Sequence, residues 1–301
     1  MIAHRVAPEV SGWTAETLVP TRLTSQSLSI FILNGASFPC RRVDGSRRLT
    51  TAARQFWRTH AFWPALFFVI VLTILESSDL DRFIAHALYY DATTHHWLGG
   101  TNGMWWARDL IHTGGRWLVR LVAAAALVVW ATTFFSTRVR SWRRYAGFAF
   151  VALVLSTAVV GGLKSITNVD CPWDLEEFGG DRPYTKLFGD RLDSLPRAAC
   201  FPGAHASSGF ALVFGYFLLR QRSRRRAMWT FAFAILAGVA FSIGQEARGA
   251  HFLSHDLTSA ALVWFIQLFL YVRMLKPEEL ERNSHCDAGG ATQISWVASN
   301  S

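Results

Sequence analysis

The chain has 301 residues, of which 51% are hydrophobic and only 17% are charged. A soluble domain carries roughly 25% charged residues, so this composition excludes an ordinary soluble protein. It also excludes a disordered chain, a disulfide-dense miniature and a fibrous repeat. The 13 Trp and 23 Phe residues are more aromatic surface than a soluble core of this size needs. Length and apolar content together predict a polytopic membrane protein.

The formal net charge of +9 fits either a nucleic-acid-binding protein or the cytoplasmic arginines of a membrane protein. The distribution favours the membrane, because the arginine clusters at 138–144 and 220–226 lie between apolar stretches. By the positive-inside rule these links and both termini face the cytoplasm. We therefore expect a membrane as partner and no nucleic acid.

Residues 1–57 mix Arg, Ser and Thr with short apolar stretches and show no sustained periodicity. The apolar run 28–33 is too short to cross a bilayer, and arginines rather than a small-residue cleavage site follow it, which argues against a signal peptide. We expect 1–57 to be a poorly ordered cytoplasmic leader or an over-extended start. A membrane domain at 58–275 and a flexible cytoplasmic tail at 276–301 would follow.

Six apolar stretches are long enough, or nearly long enough, to cross about 30 Å of hydrocarbon as helices. They show almost no polar face, which each helix of a soluble bundle would have. The predicted fold class is therefore all-α, a polytopic bundle of six transmembrane helices. The six stretches are 61–75, 117–135, 145–163, 205–219, 227–244 and 257–272.

Three segments, 77–115, 165–204 and 245–256, are then left on the outer side. Within the first, residues 80–90 have the pattern of an amphipathic helix lying at the membrane interface. Trp side chains gather at headgroup level in membrane proteins. We expect this anchoring role for Trp97, Trp105, Trp106 and Trp117.

The unusual polar residues gather where the third to sixth predicted spans meet the outer face. Charged and imidazole groups at a membrane boundary are costly to desolvate, which makes them functional candidates. They form three clusters: Lys164 with Asp-Cys-Pro-Trp at 170–173, Cys-Phe-Pro-Gly-Ala-His-Ala-Ser-Ser at 200–208, and Arg-Gly-Ala-His-Phe-Leu-Ser-His-Asp at 248–256.

In this order, the three clusters resemble the signature motifs of the type 2 phosphatidic acid phosphatase (PAP2) and haloperoxidase superfamily. Their residues are similar to those of its bacterial integral-membrane branch. Those motifs are a Lys followed by Arg-Pro, then Pro-Ser-Gly-His, then an Arg-led segment ending in His and Asp. The resemblance covers roughly residues 60–275. It implies phosphoryl transfer through a phosphohistidine, with no metal and no cofactor.

Carried over by position, the resemblance makes His251 the nucleophile, His205 the general acid and Asp256 the residue that orients His251. Lys164 and Arg248 would hold the phosphate. The chemistry of the residues agrees with these roles. A phosphoryl group needs cations and N–H donors around its oxygens, and an imidazole can act as nucleophile or proton donor near pH 7. Further substrate-binding candidates are Gly203, Ala204 and Ser207, where small residues leave backbone N–H groups open at a helix start, and Arg182.

The chain departs from the family pattern in each motif. Cys171 stands where an Arg is expected, Gly203 and Ala204 replace Ser and Gly, and Gln245 occupies the position of the third-motif Arg. Arg248 lies three residues before the predicted nucleophile, on the same face of a helix, and would serve the phosphate instead.

The third motif leaves two assignments of the nucleophile open. We favour His251 with Asp256, while the alternative makes His255 the nucleophile, with Arg248 seven residues before it and again on one helical face.

The outer loop carries two further alternatives. Cys171 and Cys200 lie beside two different motifs in a disulfide-permissive compartment, so we weigh a bond between them against two free thiols and favour the bond. Such a bond would fix the loop in place of the missing Arg. Arg182 and Lys186 either add phosphate contacts as a lid or belong to a solvated loop.

The predicted function is that of an integral-membrane lipid phosphatase acting at the outer, periplasmic face of a bacterial inner membrane. Its substrate would be a phospholipid phosphate, an isoprenoid pyrophosphate or a phosphate of lipid A. Two alternatives stay open: a lipid phosphotransferase that uses the same phosphohistidine, and a non-catalytic lipid-binding or transport relative.

Overall fold

A computed structural model describes residues 51–276 except 52, 101–103 and 188. Most of the predicted leader and nearly all of the predicted tail therefore lie outside the described residues. The described part is mostly helical, with one sheet of two short strands, which confirms the all-α fold class.

Among the described residues, five helices are long and apolar enough to cross a membrane, which indicates a multi-pass membrane protein. Their interiors are the α-helices α1 (Trp63–Ser77), α3 (Gly115–Phe135), α4 (Arg143–Ile166), α7 (Arg224–Glu246) and α8 (Leu253–Leu270). Short tighter or wider helical turns extend four of them, at Arg58–Phe62, Trp106–Gly114, Thr137–Trp142 and Tyr271–Leu275.

The fourth predicted span is present as a shorter helix, Ala204–Leu219, so the count of six spans is not confirmed. It consists of α5 (Ala204–Phe210), a 3₁₀ turn (Ala211–Val213) and α6 (Phe214–Leu219). The Ala211 carbonyl accepts the N–H of Phe214 within the 3₁₀ turn and also a 2.8 Å hydrogen bond from Gln267 Nε2 of α8. The buried side chain of Gln267 thus ties α8 to the interruption in the fourth helix.

The core lies between α4, the short fourth helix, α7 and α8. Phe148 and Leu153 of α4 meet Phe217 and Val263 in one cluster of buried side chains. Where α5 crosses α7, a Cβ on Gly209 would lie 2.8 Å from the backbone of Gly238. Small residues at this crossing let the two backbones approach closely, as in other membrane helix pairs. This approach places the start of α5 beside the end of α7.

One end of the bundle is here called the motif end, because all three sequence motifs lie there. This end carries a small cap. It contains α2 (Leu80–Leu88), the antiparallel strands β1 (Tyr90–Asp91) and β2 (His96–Trp97), and 3₁₀ turns at Pro172–Asp174 and Glu176–Phe178. Arg82 of α2 ties the cap together through a bidentate contact of 2.8–2.9 Å with Glu177.

The prediction for the tryptophans is wrong for Trp97. Its ring is buried among Tyr90, Phe178 and Gly249, so it forms the core of the cap rather than an anchor in headgroups. Trp105 and Trp117 are exposed, as an interfacial role requires. The local sequence did not distinguish the two roles, because a Trp ring can be buried against either lipid or protein.

Candidate functional site

The three motifs converge at the motif end of the bundle. Lys164 lies in the last turn of α4, His205 in the first turn of α5, and His255 near the start of α8. Arg248 and His251 lie in the 247–252 turn that joins α7 to α8. Residues 40 to 90 positions apart in the chain therefore surround a common region.

The turn between α7 and α8 depends on Gly249. Its φ of +72° is in the left-handed region, and a Cβ there would overlap the ring of Trp97. Backbone bonds from the N–H groups of Arg248 and Ala250 to the carbonyl of Gln245 tighten the same turn, at 3.2 and 2.9 Å. Gln245, at the position of the family arginine, thus shapes the turn with its backbone.

Two predicted site residues meet through their side chains, with Lys164 Nζ 3.5 Å from His251 Nε2. A lysine ammonium only donates, so this contact is a hydrogen bond in the tautomer of His251 that has its lone pair on Nε2 and its proton on Nδ1. His251 is only 3% exposed. Burial lowers the pKa of His251 well below its usual value, and the charge of Lys164 acts in the same direction. The result is a neutral imidazole whose lone pair faces a cation.

His255 is the second imidazole of this region. Its ring centroid lies 5.7 Å from that of His251, it is 4% exposed, and its Nδ1 has no hydrogen-bond partner within the described part of the chain. The ring of Phe201 packs edge-on against it at 5.3 Å. The geometry leaves both assignments of the nucleophile open.

Asp256 does not make the expected contact with His251. The carboxylate is buried, and neither of its oxygens has a hydrogen-bond partner among the residues described; Nδ1 of His251 is likewise unpartnered. Asp256 Oδ1 instead lies against Gly203, where any Cβ would overlap it. Glycine in place of the family serine is therefore a steric requirement of this carboxylate.

Fewer polar groups are free to bind an anion at the start of α5 than the sequence suggested. The N–H of Gly203 donates to the carbonyl of His255 at 3.0 Å and is not free for an anion. The hydroxyl of Ser207 donates to the carbonyl of Ala204 at 2.7 Å, and Ser208 bonds back to His205 in the same way. These hydroxyls satisfy their own helix, so they do not replace the missing motif serine.

His205 contacts the start of the second long helix. Its Nε2 lies 3.3 Å from the carbonyl of Ile111, and its ring lies between His112 and Phe241, with both centroids at 4.7 Å. Sequence reasoning missed His112, whose Nε2 accepts a 2.6 Å bond from Arg116. The signal was available: a His and an Arg four residues apart share one helical face at the head of a predicted span.

Arg248 supplies positive charge on the same side. Burial lowers its pKa, and the nearby charges of Arg108 and Arg116 add to that effect. Its Nε is buried without a hydrogen-bond partner among the described residues. Cations that are held together in this way are stabilised by an anion, and phosphate is an anion of suitable charge.

Cys171 and Cys200 are joined by a disulfide, with their Cα atoms 5.2 Å apart. The bond links the loop after α4 to the residues just before α5. Beside it, Asp170 accepts hydrogen bonds from Arg182 at 2.6 Å and Arg191 at 2.7 Å. Burial raises the pKa of Asp170, but these two guanidinium groups outweigh burial and lower it overall. Arg182 thus stabilises the loop by pairing with the buried Asp170. This role differs from both predictions, a lid that contacts phosphate and a solvated loop.

Fold and site together define a helical membrane protein with a buried cluster of imidazoles and cations at one end of the bundle. Residues 145–278 match the family model of the PAP2 superfamily. This region contains all the motif residues from Lys164 to Asp256, and the match is consistent with a member of the PAP2 superfamily, as the motifs predicted. No curated protein and no solved structure matches the chain. The domain supports a phosphatase-type hydrolase of phosphoesters, and the apolar helices fit association with a membrane.

Proposed function

We propose that this protein is a membrane lipid phosphatase that transfers the phosphoryl group of a lipid phosphate or pyrophosphate to His251 and then to water. The observation that carries the proposal is the 3.5 Å contact between Lys164 Nζ and Nε2 of the buried His251. This contact supports a role for Lys164 as a cation that binds the oxygens of a phosphoryl group carried by that nitrogen.

In the first step the lone pair of Nε2 attacks phosphorus, the bond from phosphorus to the lipid oxygen breaks, and protonated His205 gives its proton to the leaving oxygen. Lys164 and Arg248 stabilise the phosphoryl oxygens. In the second step His205 accepts a proton from water, the water oxygen attacks phosphorus, and the P–N bond breaks. Free phosphate leaves, and both imidazoles return to their initial states.

Two parts of this scheme rest on the resemblance rather than on contacts. Asp256 is proposed to orient His251, although no hydrogen bond joins them. His205 is proposed as the acid, and its Nε2 faces the carbonyl of Ile111 in the absence of substrate. Catalytic contacts of this kind commonly tighten only in the complex with substrate.

The proposed location is the inner membrane of a bacterium, with both termini in the cytoplasm and the motif end facing the periplasm. The support is the distribution of arginines, which gather in the 138–144 and 220–226 links at the opposite end from the motifs. The proposed substrates are phospholipid phosphates, isoprenoid pyrophosphates and lipid A phosphates. Independence from metal ions also stays a prediction.

The test is to trap the intermediate on purified protein in detergent, with ³²P-labelled phosphatidate and a labelled isoprenoid pyrophosphate. Acid-labile label on wild-type protein, absent from His251→Asn and retained by His255→Asn, is the expected result. His96→Asn, at an exposed position of β2 in the cap, is the matched control and should behave as wild type. Label that persists in His251→Asn but disappears in His255→Asn moves the nucleophile to His255.

The products of the same reaction distinguish the alternatives. Free phosphate identifies a phosphatase, whereas label in a second lipid identifies a phosphotransferase. Absence of both label and product with all substrates contradicts the proposal and leaves a non-catalytic relative.

A further inference from the structure

A cavity of about 820 Å³ lies beside the candidate site, between α1, α8 and the 167–187 loop. Its size is that of a site for a small molecule or a lipid headgroup, which is roughly 300–1,000 Å³. Of the predicted catalytic residues only His255 lines it; Lys164, His205, Arg248 and His251 do not. The cavity is thus a separate space that adjoins the site through one imidazole.

One wall of the cavity is apolar and reaches the lipid-facing surface. Val69 and Leu72 of α1, Leu187 of the loop and Phe252 before α8 form this wall. Val69 is 62% exposed and lies within a membrane-spanning helix, so the cavity is accessible to a hydrocarbon chain from the side of the bundle. A chain there would exchange lipid contacts for contacts with these side chains.

The polar part of the cavity carries negative charge. Glu76, Asp81 and Asp170 line it, and no Lys or Arg of the described residues does. Asp170 is neutralised by its two arginines. Glu76 accepts the backbone N–H of Leu187 at 2.9 Å, and Asp81 accepts hydrogen bonds from Ser254, of which the backbone N–H is at 3.1 Å. Neither carboxylate forms an ion pair with a described residue.

An imidazole with an unpartnered nitrogen, that of His255, also lines the cavity. His255 is more than nine-tenths buried, and no described residue bonds its Nδ1. Two carboxylates without a cation, next to an unpartnered imidazole, repel phosphate but attract a group that carries positive charge and several N–H donors. A primary ammonium has both properties.

We propose that this cavity binds the ammonium end of an amine-bearing amphiphile, with the nitrogen at Asp81 and Glu76 and the hydrocarbon chain along Val69 and Leu72. The inference goes beyond the proposed function, because such binding requires neither the phosphohistidine nor the cations around it.

The test uses a spin-labelled C12 alkylamine with the protein in phosphatidylcholine nanodiscs, and the immobilised fraction is measured by electron paramagnetic resonance. Wild-type protein is expected to immobilise the amine at least tenfold more tightly than the spin-labelled alcohol and fatty acid of equal chain length. Asp81→Asn and Glu76→Gln should each weaken amine binding by at least tenfold. Asp79→Asn is the matched control, because Asp79 is 78% exposed and does not line the cavity.

Leu72→Trp provides a second test that leaves every charge in place, since the larger ring fills the apolar wall and should abolish binding. Equal affinity for amine and alcohol, or unchanged amine binding in Asp81→Asn, overturns the inference. His251→Asn should still bind the amine. Absence of the phosphoryl label from wild-type protein that still binds the amine therefore contradicts the proposed function alone. Labelled wild-type protein that does not bind the amine contradicts this inference alone.

Discussion

The buried carboxylate of Asp81 should make the stability of this protein depend on pH, and Asp81→Asn should remove the part of that dependence that this carboxylate causes. Asp81 is only 6% exposed and accepts the N–H of Ser254. Burial raises its pKa from 3.8 to about 6; hydrogen bonds from Ser254 partly oppose this effect, and the charge of Glu76 adds to it.

The size and sign of the effect follow from linkage between protonation and folding. A folded-state pKa about two units above the unfolded value means that the folded protein binds the proton more tightly. Ionisation of Asp81 therefore destabilises the fold by about 3 kcal/mol, at about 1.36 kcal/mol per unit. This loss is absent below about pH 4, grows between pH 4 and 6, and is complete above the folded pKa.

The measurement is thermal unfolding of purified protein in a neutral detergent at several pH values from about 4.5 to 7.5. The unfolding midpoint of Asp81→Asn relative to wild type should rise through this range and then level off. The exposed Asp79→Asn should show no such rise. A difference between Asp81→Asn and wild type that is constant with pH, or that shrinks as pH rises, refutes the reasoning.

Three further outcomes are expected. Gly203→Ala should lower the folded yield and the activity, because the added Cβ overlaps the carboxylate of Asp256 in the first turn of α8. Gly161→Ala, where a Cβ meets nothing within 4 Å, should fold at least as well as wild type. Both variants are compared with wild type by the yield of monodisperse protein in detergent. Lys164→Gln should lower kcat for phosphate release by about 10²–10³ while the protein still inserts, and a wild-type rate would contradict the proposed role. Alkylation without reductant should leave Cys171 and Cys200 unlabelled in mass spectra, and label on both would show that they are not bonded.

Much of the architecture followed from patterns that are local in the chain. Long apolar stretches have few stable forms in lipid other than helices, so hydropathy predicted the positions of the five long helices. The same pattern predicted a further span at 205–219, where the structure has a shorter apolar helix, so a sixth crossing is not confirmed. Hydropathy measures apolar content and does not show whether a helix faces lipid or is surrounded by protein, as this shorter one is at Phe210 and Phe217.

The order and spacing of the three motifs were sufficient to indicate the family, because both are visible in the sequence before the chain is folded. Which of them meet was decided by packing. Arg182 pairs with Asp170 because the loop folds back on itself, and His112 reaches His205 because the second long helix packs beside α5. Asp256 faces Gly203 for a similar reason.

The sequence alone therefore determined the membrane class, the helical elements and the set of chemical groups at the motif end, since these depend on composition and short-range periodicity. Only the tertiary structure decided which partner each charged or imidazole group has, and that His255 lines a cavity together with Glu76 and Asp81, which form no ion pair with a described residue. Such pairings depend on distances between residues far apart in the chain, and these distances are set by how the helices pack.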